Sequence, residues 1–146
     1  MFGYEVEITI NAPAERIYRV VTDAQKWSMW TSMRETKVLS GTGFTEVGSR
    51  IESVMSDGPG KPKLIFEVTA AEANKRVAFK TVSKSPIEWD GDTRLEPQGP
   101  SSTRVVSTSE IRSRGWLNVL EFFMRGEIKK GEQKSLEALK KLVESN

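Results

Sequence analysis

The sequence predicts an α+β protein in which a seven-stranded antiparallel sheet packs on one long C-terminal helix, with two short helices after the first strand. Three features predict it. The N-terminal segment alternates apolar and polar residues, the middle of the chain is a series of strand-length runs broken by turn residues, and the last 30 or so residues keep a helical period. The length fits one domain spanning 1–146. A chain of this size buries roughly 70% of the surface its unfolded form exposes, enough to build a core.

In the first strand, Tyr4, Val6, Ile8 and Ile10 alternate with Glu5, Glu7 and Thr9, the period of a half-buried strand. In "NAPAERIYRVV", Pro13 suits a first helical position, Glu15 falls in the first turn, and Ile17, Val20 and Val21 share a face. Thr22 to Gln25 fit a capping box, Thr followed three residues later by Gln. A second short helix is therefore expected there, carrying Trp27 and Trp30 on one face.

Six strands follow: "RETKVLS", "SRIESVMS", "KLIFEVTAA", "RVAFKTVS", "IEWDGDTRLE" and "TRVVSTSEIRS". The breaks "GTGFTEVG", "DGPGKP", "EANK", "KSP" and "PQGPSS" are rich in turn formers. Breaks this short imply an antiparallel meander, because parallel neighbours need a crossover of roughly a dozen residues or more. Alternation assigns an inward set: Ile51 and Met55, Phe66 and Val68, Val77 and Phe79, Trp89 and Leu95, Val105 and Ile111.

From Trp116 to about Ser145, the residues Leu117, Leu120, Met124, Ile128, Gly131, Ser135, Ala138, Leu139 and Leu142 recur at steps of three and four. This stripe should face the sheet. Its middle, Gly131, Ser135 and Ala138, is small where a close-packed core favours Leu or Phe. Either the sheet comes very close there, or space is left open. Trp116, Phe122 and Phe123 lie off the stripe and either pack on loops or form a homodimer or partner surface.

Composition narrows the chemistry. The chain has no Cys and no His, which excludes thiolate nucleophiles, zinc–thiolate and imidazole sites, and Ser-His-Asp arrangements. Only oxygen ligands are available, with no calcium-binding spacing, so neither metal nor cofactor is expected. With 22 Lys+Arg against 20 Asp+Glu, nucleic acid is not an expected partner. The N-terminus lacks a basic start followed by an apolar run, and no stretch reaches the ~18 apolar residues of a membrane span. A cytoplasmic location without membrane insertion is the expectation.

The order of elements, together with "INAPAERIYRVVTDAQKWSMW", "WDGDTRLEPQGPSSTRVV" and "GEQKSLEALKKLVE", resembles the polyketide cyclase/dehydrase family of the START-related, birch-pollen-allergen-like helix-grip superfamily. The resemblance covers essentially the whole chain. It implies a curved sheet gripping the long helix around an apolar cavity, which different members use to carry lipids, bind hydrophobic metabolites or cyclise polyketides.

On that resemblance Trp27 and Trp30 are placed at the cavity mouth, Trp30 as a partly exposed rim residue and Trp27 either there or as an anchor of its helix. The expected ligand contacts are Trp27, Trp30, Met33, Ile51, Met55, Phe66, Trp89, Leu120, Met124 and Ile128. Carboxylates that could act as acid or base include Glu52, Asp57, Asp90 and Asp92, with Arg50 and Arg94 as partners. Alternation puts Asp90, Asp92 and Arg94 opposite Trp89, and Glu52 and Arg50 opposite Ile51, hence outside unless the strand slips by one. Tyr18 sits off the face of Ile17 and Val21.

The leading expectation is a binding or carrier protein for a small hydrophobic molecule. A metal-free cyclase or dehydratase and a protein–protein adaptor using Phe122 and Phe123 are the alternatives. What separates the first two is whether an ionisable side chain points into the cavity.

Overall fold

A computed structural model describes residues 2–145. Strand β1 (Phe2–Ile10) is followed by α1 (Ala14–Val21), a 3-10 turn (Ala24–Lys26) and α2 (Trp27–Trp30). The meander β2 (Met33–Ser40), β3 (Arg50–Met55), β4 (Lys63–Glu72), β5 (Arg76–Thr81), β6 (Ile87–Gly99) and β7 (Ser102–Ser113) leads to α3 (Trp116–Glu144). The strands form one antiparallel sheet in the order β1-β7-β6-β5-β4-β3-β2. The chain's first strand therefore closes against its last, with Tyr4 opposite Ser109 and Ile8 opposite Val105.

Two local expectations at the short helices need correction. Pro13 is the N-cap of α1 rather than its first helical residue. Thr22 does not cap the next turn, because its hydroxyl donates back to the Tyr18 carbonyl at 2.6 Å, a bond that residues closing a helix turn make readily. Asp23 caps instead, accepting from the Gln25 N–H at 3.0 Å. Tyr18, expected off the apolar face of α1, is buried with Ile17, Val20 and Val21, because α1 touches both β6 and α3.

Register shifts in the β2–β3, β4–β5 and β6–β7 pairings bend the sheet, since a bulge adds a residue to one strand and increases its local twist. Outside, ion pairs cross the strands: Glu5 with Arg94, Glu7 and Glu96 with Arg104, and Asp90 with Arg112. Exposed pairs of this kind contribute at most about 1 kcal/mol each. Glu52 belongs to this face, between Lys37 and Lys63, as does Arg50 with Glu67. The inward set assigned from alternation is on the concave face, and all of it except half-buried Trp89 is buried.

That face carries an aromatic cluster. Trp27 packs against Phe44, Phe66, Phe79 and Trp89, with ring centroids 4.9 to 5.8 Å apart. Gly91 sits beneath it, directly opposite Phe79 in the β5–β6 pairing. A Cβ at Gly91 would stand 2.6 Å from the Phe79 ring, so the absence of a side chain there is what lets the ring lie down on the sheet.

Helix α3 is held at its C-terminal end. Leu136, Leu139 and Val143 are buried, Arg16 Nη2 donates to the Val143 carbonyl at 2.6 Å, and the Asn11 N–H donates to Glu144 at 2.8 Å. In the other half only Leu117 and Glu121 are buried. Trp116, Val119, Phe122 and Phe123 are more than 60% exposed. The helix is thus pinned at one end and leaves space beneath the other.

Candidate functional site

The space is a cavity of about 330 Å³ between the sheet, the β3–β4 turn and α3. Met33 and Met55 of β2 and β3, Ile87 and Trp89 of β6, and Ile111 of β7 form its apolar wall. Leu117, Leu120, Met124 and Ile128 of α3 face them. Gly131 lines it too, and a Cβ there would meet nothing within 4 Å. Of the two readings of the small-residue stretch, open space holds at Gly131 and Ser135, whereas Ala138 packs against the core.

A smaller cavity of about 50 Å³ adjoins it, bordered by Trp27, Trp30, Phe44 and Phe79. Trp89, Ser32, Glu132 and Ser135 line both. The indole Nε1 atoms of Trp30 and Trp89 are buried there without a hydrogen-bond partner among the described residues.

One end of the larger cavity is polar. Glu132 of α3 receives a hydrogen bond from Ser107 Oγ of β7 at 2.7 Å. Burial pushes its carboxyl above the usual range; the Ser107 and Ser109 hydroxyls oppose that shift, and the negative charge of Asp57 adds to it. Tyr4 of β1 lines the same cavity. Its phenol is pushed up by burial and then by the Glu132 charge, with the Ser109 hydroxyl acting against the shift. Glu121, buried on the same helix, lies 3.8 Å from Arg125, whose guanidinium also stands over the Phe2 and Phe122 rings. A desolvated carboxyl beside a phenol can hold or release a proton closer to neutral pH than an exposed one.

Residues 1–144 match the family model described as polyketide cyclase / dehydrase and lipid transport. The chain belongs to this family. Several solved structures share the fold. The aromatase/cyclase ZhuI from Streptomyces sp. R1128 superposes with a TM-score of 0.79 at 13% identity, covering 98% of this chain and 93% of that one. A START superfamily protein from Mycobacterium smegmatis gives 0.73 at 17%, covering 92% and 94%. The di-domain aromatase/cyclase BexL of the BE-7585A biosynthetic pathway gives 0.75 at 20%; the match takes in 99% of this chain and 47% of BexL, so the chain spans about half of that protein. At such identities the likeness shows the helix-grip fold. No curated protein matches the sequence.

Within this family member, Met33, Met55, Trp89, Leu120, Met124 and Ile128, expected as ligand contacts, all line the larger cavity. Ile51 and Phe66 do not; both are 0% exposed in the core. The aromatic cluster explains it, because Trp27 covers Phe66 edge-on and Ile51 pairs directly with Phe66 on the neighbouring strand. Trp27, 3% exposed, is the centre of that cluster, and Trp30, expected to be partly exposed, is only 9% exposed. Both border the smaller cavity rather than an open rim. Among the candidate acids Asp57 lines the larger cavity, while Glu52, Asp90 and Asp92 lie in the outer ion pairs.

Sequence reasoning missed Glu132, Glu121 and the hydroxyls of Ser107 and Ser109. A signal was present: Leu117, Ile128 and Leu139 are eleven residues apart, as are Glu121, Glu132 and Val143. An eleven-residue step is three turns of a straight helix plus about 20°, so Glu121 and Glu132 stand close to the sheet-facing line. No helix among the described residues is long and apolar enough to cross a membrane.

Proposed function

We propose that the protein binds a small hydrophobic molecule, a lipid or polyketide-like metabolite, in the cavity beneath α3. The observation that carries this reading is the open space at Gly131 beside a wall of methionine, aliphatic and aromatic side chains. Family membership and the START-like fold support it. Methionines at three places on the wall suit a site that adapts to its occupant. Substituting Gly131→Leu tests the reading, because the side chain enters empty space and raises helix propensity by about 0.8 kcal/mol. Stability should be retained while 2-naphthaleneethanol binds about tenfold more weakly. Unchanged affinity in a folded variant would place binding elsewhere.

Cyclase or dehydratase chemistry on a poly-β-carbonyl chain is a second reading, favoured by one observation: Glu132, an ionisable side chain, faces the cavity beside Tyr4. In that role the cavity orients the chain and Glu132 moves a proton at a carbon next to a carbonyl. Glu132→Gln would then abolish turnover while substrate binding persists. Loss of binding together with turnover would leave Glu132 a recognition group.

A further inference from the structure

The larger cavity has an apolar wall of methionine and aliphatic side chains and a cluster of polar groups where β1, β7 and α3 meet. Glu132 stands there on Ser107, with Tyr4 and Ser109 beside it. Asp57, from the β3–β4 turn, lines the same cavity, and its negative charge is felt by both Glu132 and Tyr4. Two carboxyl groups on separate elements thus line one cavity, Glu132 within it and Asp57 at an exposed turn on its border. Among the described residues Lys134 is the one lysine on the lining, against Asp57, Glu121, Glu127 and Glu132, and Arg125 and Lys130 are drawn to Glu121 and Glu127.

We infer that the ligand is a hydrophobic amine, its apolar body along the methionine wall and its ammonium group between Glu132 and Asp57. This inference rests on the binding reading above and specifies the ligand's polar end. Charge complementarity decides it. An anionic head, such as a fatty-acid carboxylate or a phosphate, would enter a lining whose carboxyl groups Glu121 and Glu127 are paired with Arg125 and Lys130 but whose Glu132 and Asp57 have no cation in an ion pair among the described residues, and like charges in a partly desolvated site repel. An ammonium group instead offers donors to the Glu132 carboxylate and relieves the desolvation that this carboxyl suffers alone. A neutral head gains neither effect. The same arrangement selects between ligands of equal apolar body, because the pole rejects the wrong charge as well as attracting the right one.

The test uses three probes sharing one naphthalene body: 2-(2-naphthyl)ethylamine, 2-naphthaleneethanol and 2-naphthaleneacetate. Calorimetric titration at pH 7 should show the amine binding about tenfold more tightly than the alcohol, and the carboxylate about tenfold more weakly, a span set by one partly buried ion pair. In Glu132→Gln, shown to be folded by its melting transition, the amine's advantage over the alcohol should shrink to about threefold or less. Asp57→Asn, an exposed turn position, should reduce the advantage by a smaller factor and provides the same check if Glu132→Gln is unstable. Carboxylate binding as tight as amine binding would overturn the inference, as would an amine preference that survives both substitutions. If the alcohol binds but shows no disadvantage, only the charge assignment fails. If none of the three binds, the cavity-binding reading fails with it.

Discussion

Trp27 of α2 stacks on Trp89 of β6, ring centroids 5.8 Å apart and planes within 12°. This contact joins a four-residue helix, too short to stand by itself, to the centre of the sheet. It also divides the interior, with aromatic core on one side and the larger cavity, which Trp89 lines, on the other. Truncation of Trp27 to Ala should therefore cost about 3–5 kcal/mol, the range for a large aromatic removed from a core. Chemical denaturation measures it, and a loss below about 1 kcal/mol would mean that α2 is not seated by this ring. Trp30→Phe should cost only about 1 kcal/mol, because the indole N–H it gives up has no partner.

Gly91→Ala should destabilise by about 1–3 kcal/mol, the cost of overpacking a tight core. The new methyl group stands 2.6 Å from the Phe79 ring, and Phe79 is hemmed in by Trp27, Phe66 and Trp89. Pairing the substitution with Phe79→Leu should recover part of the loss. Equal stability of Gly91→Ala and the parent would show that the ring has room to move.

The Glu132 carboxyl gives a pH dependence with a definite sign. Its folded value lies above the ordinary one because burial opposes its charge. Below the unfolded value, about 4.3, it is protonated in both states and costs nothing. As pH rises through the window between the unfolded and folded values, the unfolded state ionises first and stability falls; above that window the cost is constant. Glu132→Gln keeps an oxygen to accept from Ser107 and removes the charge. The variant should be more stable than the parent at pH 7, with the difference vanishing below about pH 4. Urea denaturation at the two pH values checks this, and a parent more stable at pH 7 would contradict it.

The order of elements, the antiparallel pairing and the inward set of each strand were legible because each rests on local pattern: period two in the strands, and turns too short for crossovers. The alternation that put Ile51 inward and Glu52 outward is the one observed. What alternation could not tell was which inward residues meet each other and which meet space. Ile51 and Phe66 look like Met55 in the sequence; the difference is made by Trp27 and Phe44, which arrive from distant segments and fill one end of the concave face. The same limit hid the role of Glu132. Its position on the helix line could be read, but its burial, and the Ser107 and Asp57 groups that act on its charge, come together only in the closed sheet.

Methionine methyl groups provide the most direct test of ligand binding beneath α3. Met33, Met55 and Met124 line the larger cavity, whereas Met29 is 62% exposed on the surface and borders neither cavity. With methyl-labelled methionine and a titration of 2-naphthaleneethanol, the Met33, Met55 and Met124 signals should shift together and saturate at one affinity while Met29 stays in place. A shift confined to Met29, or no saturable shift in the other three, would contradict binding in the cavity.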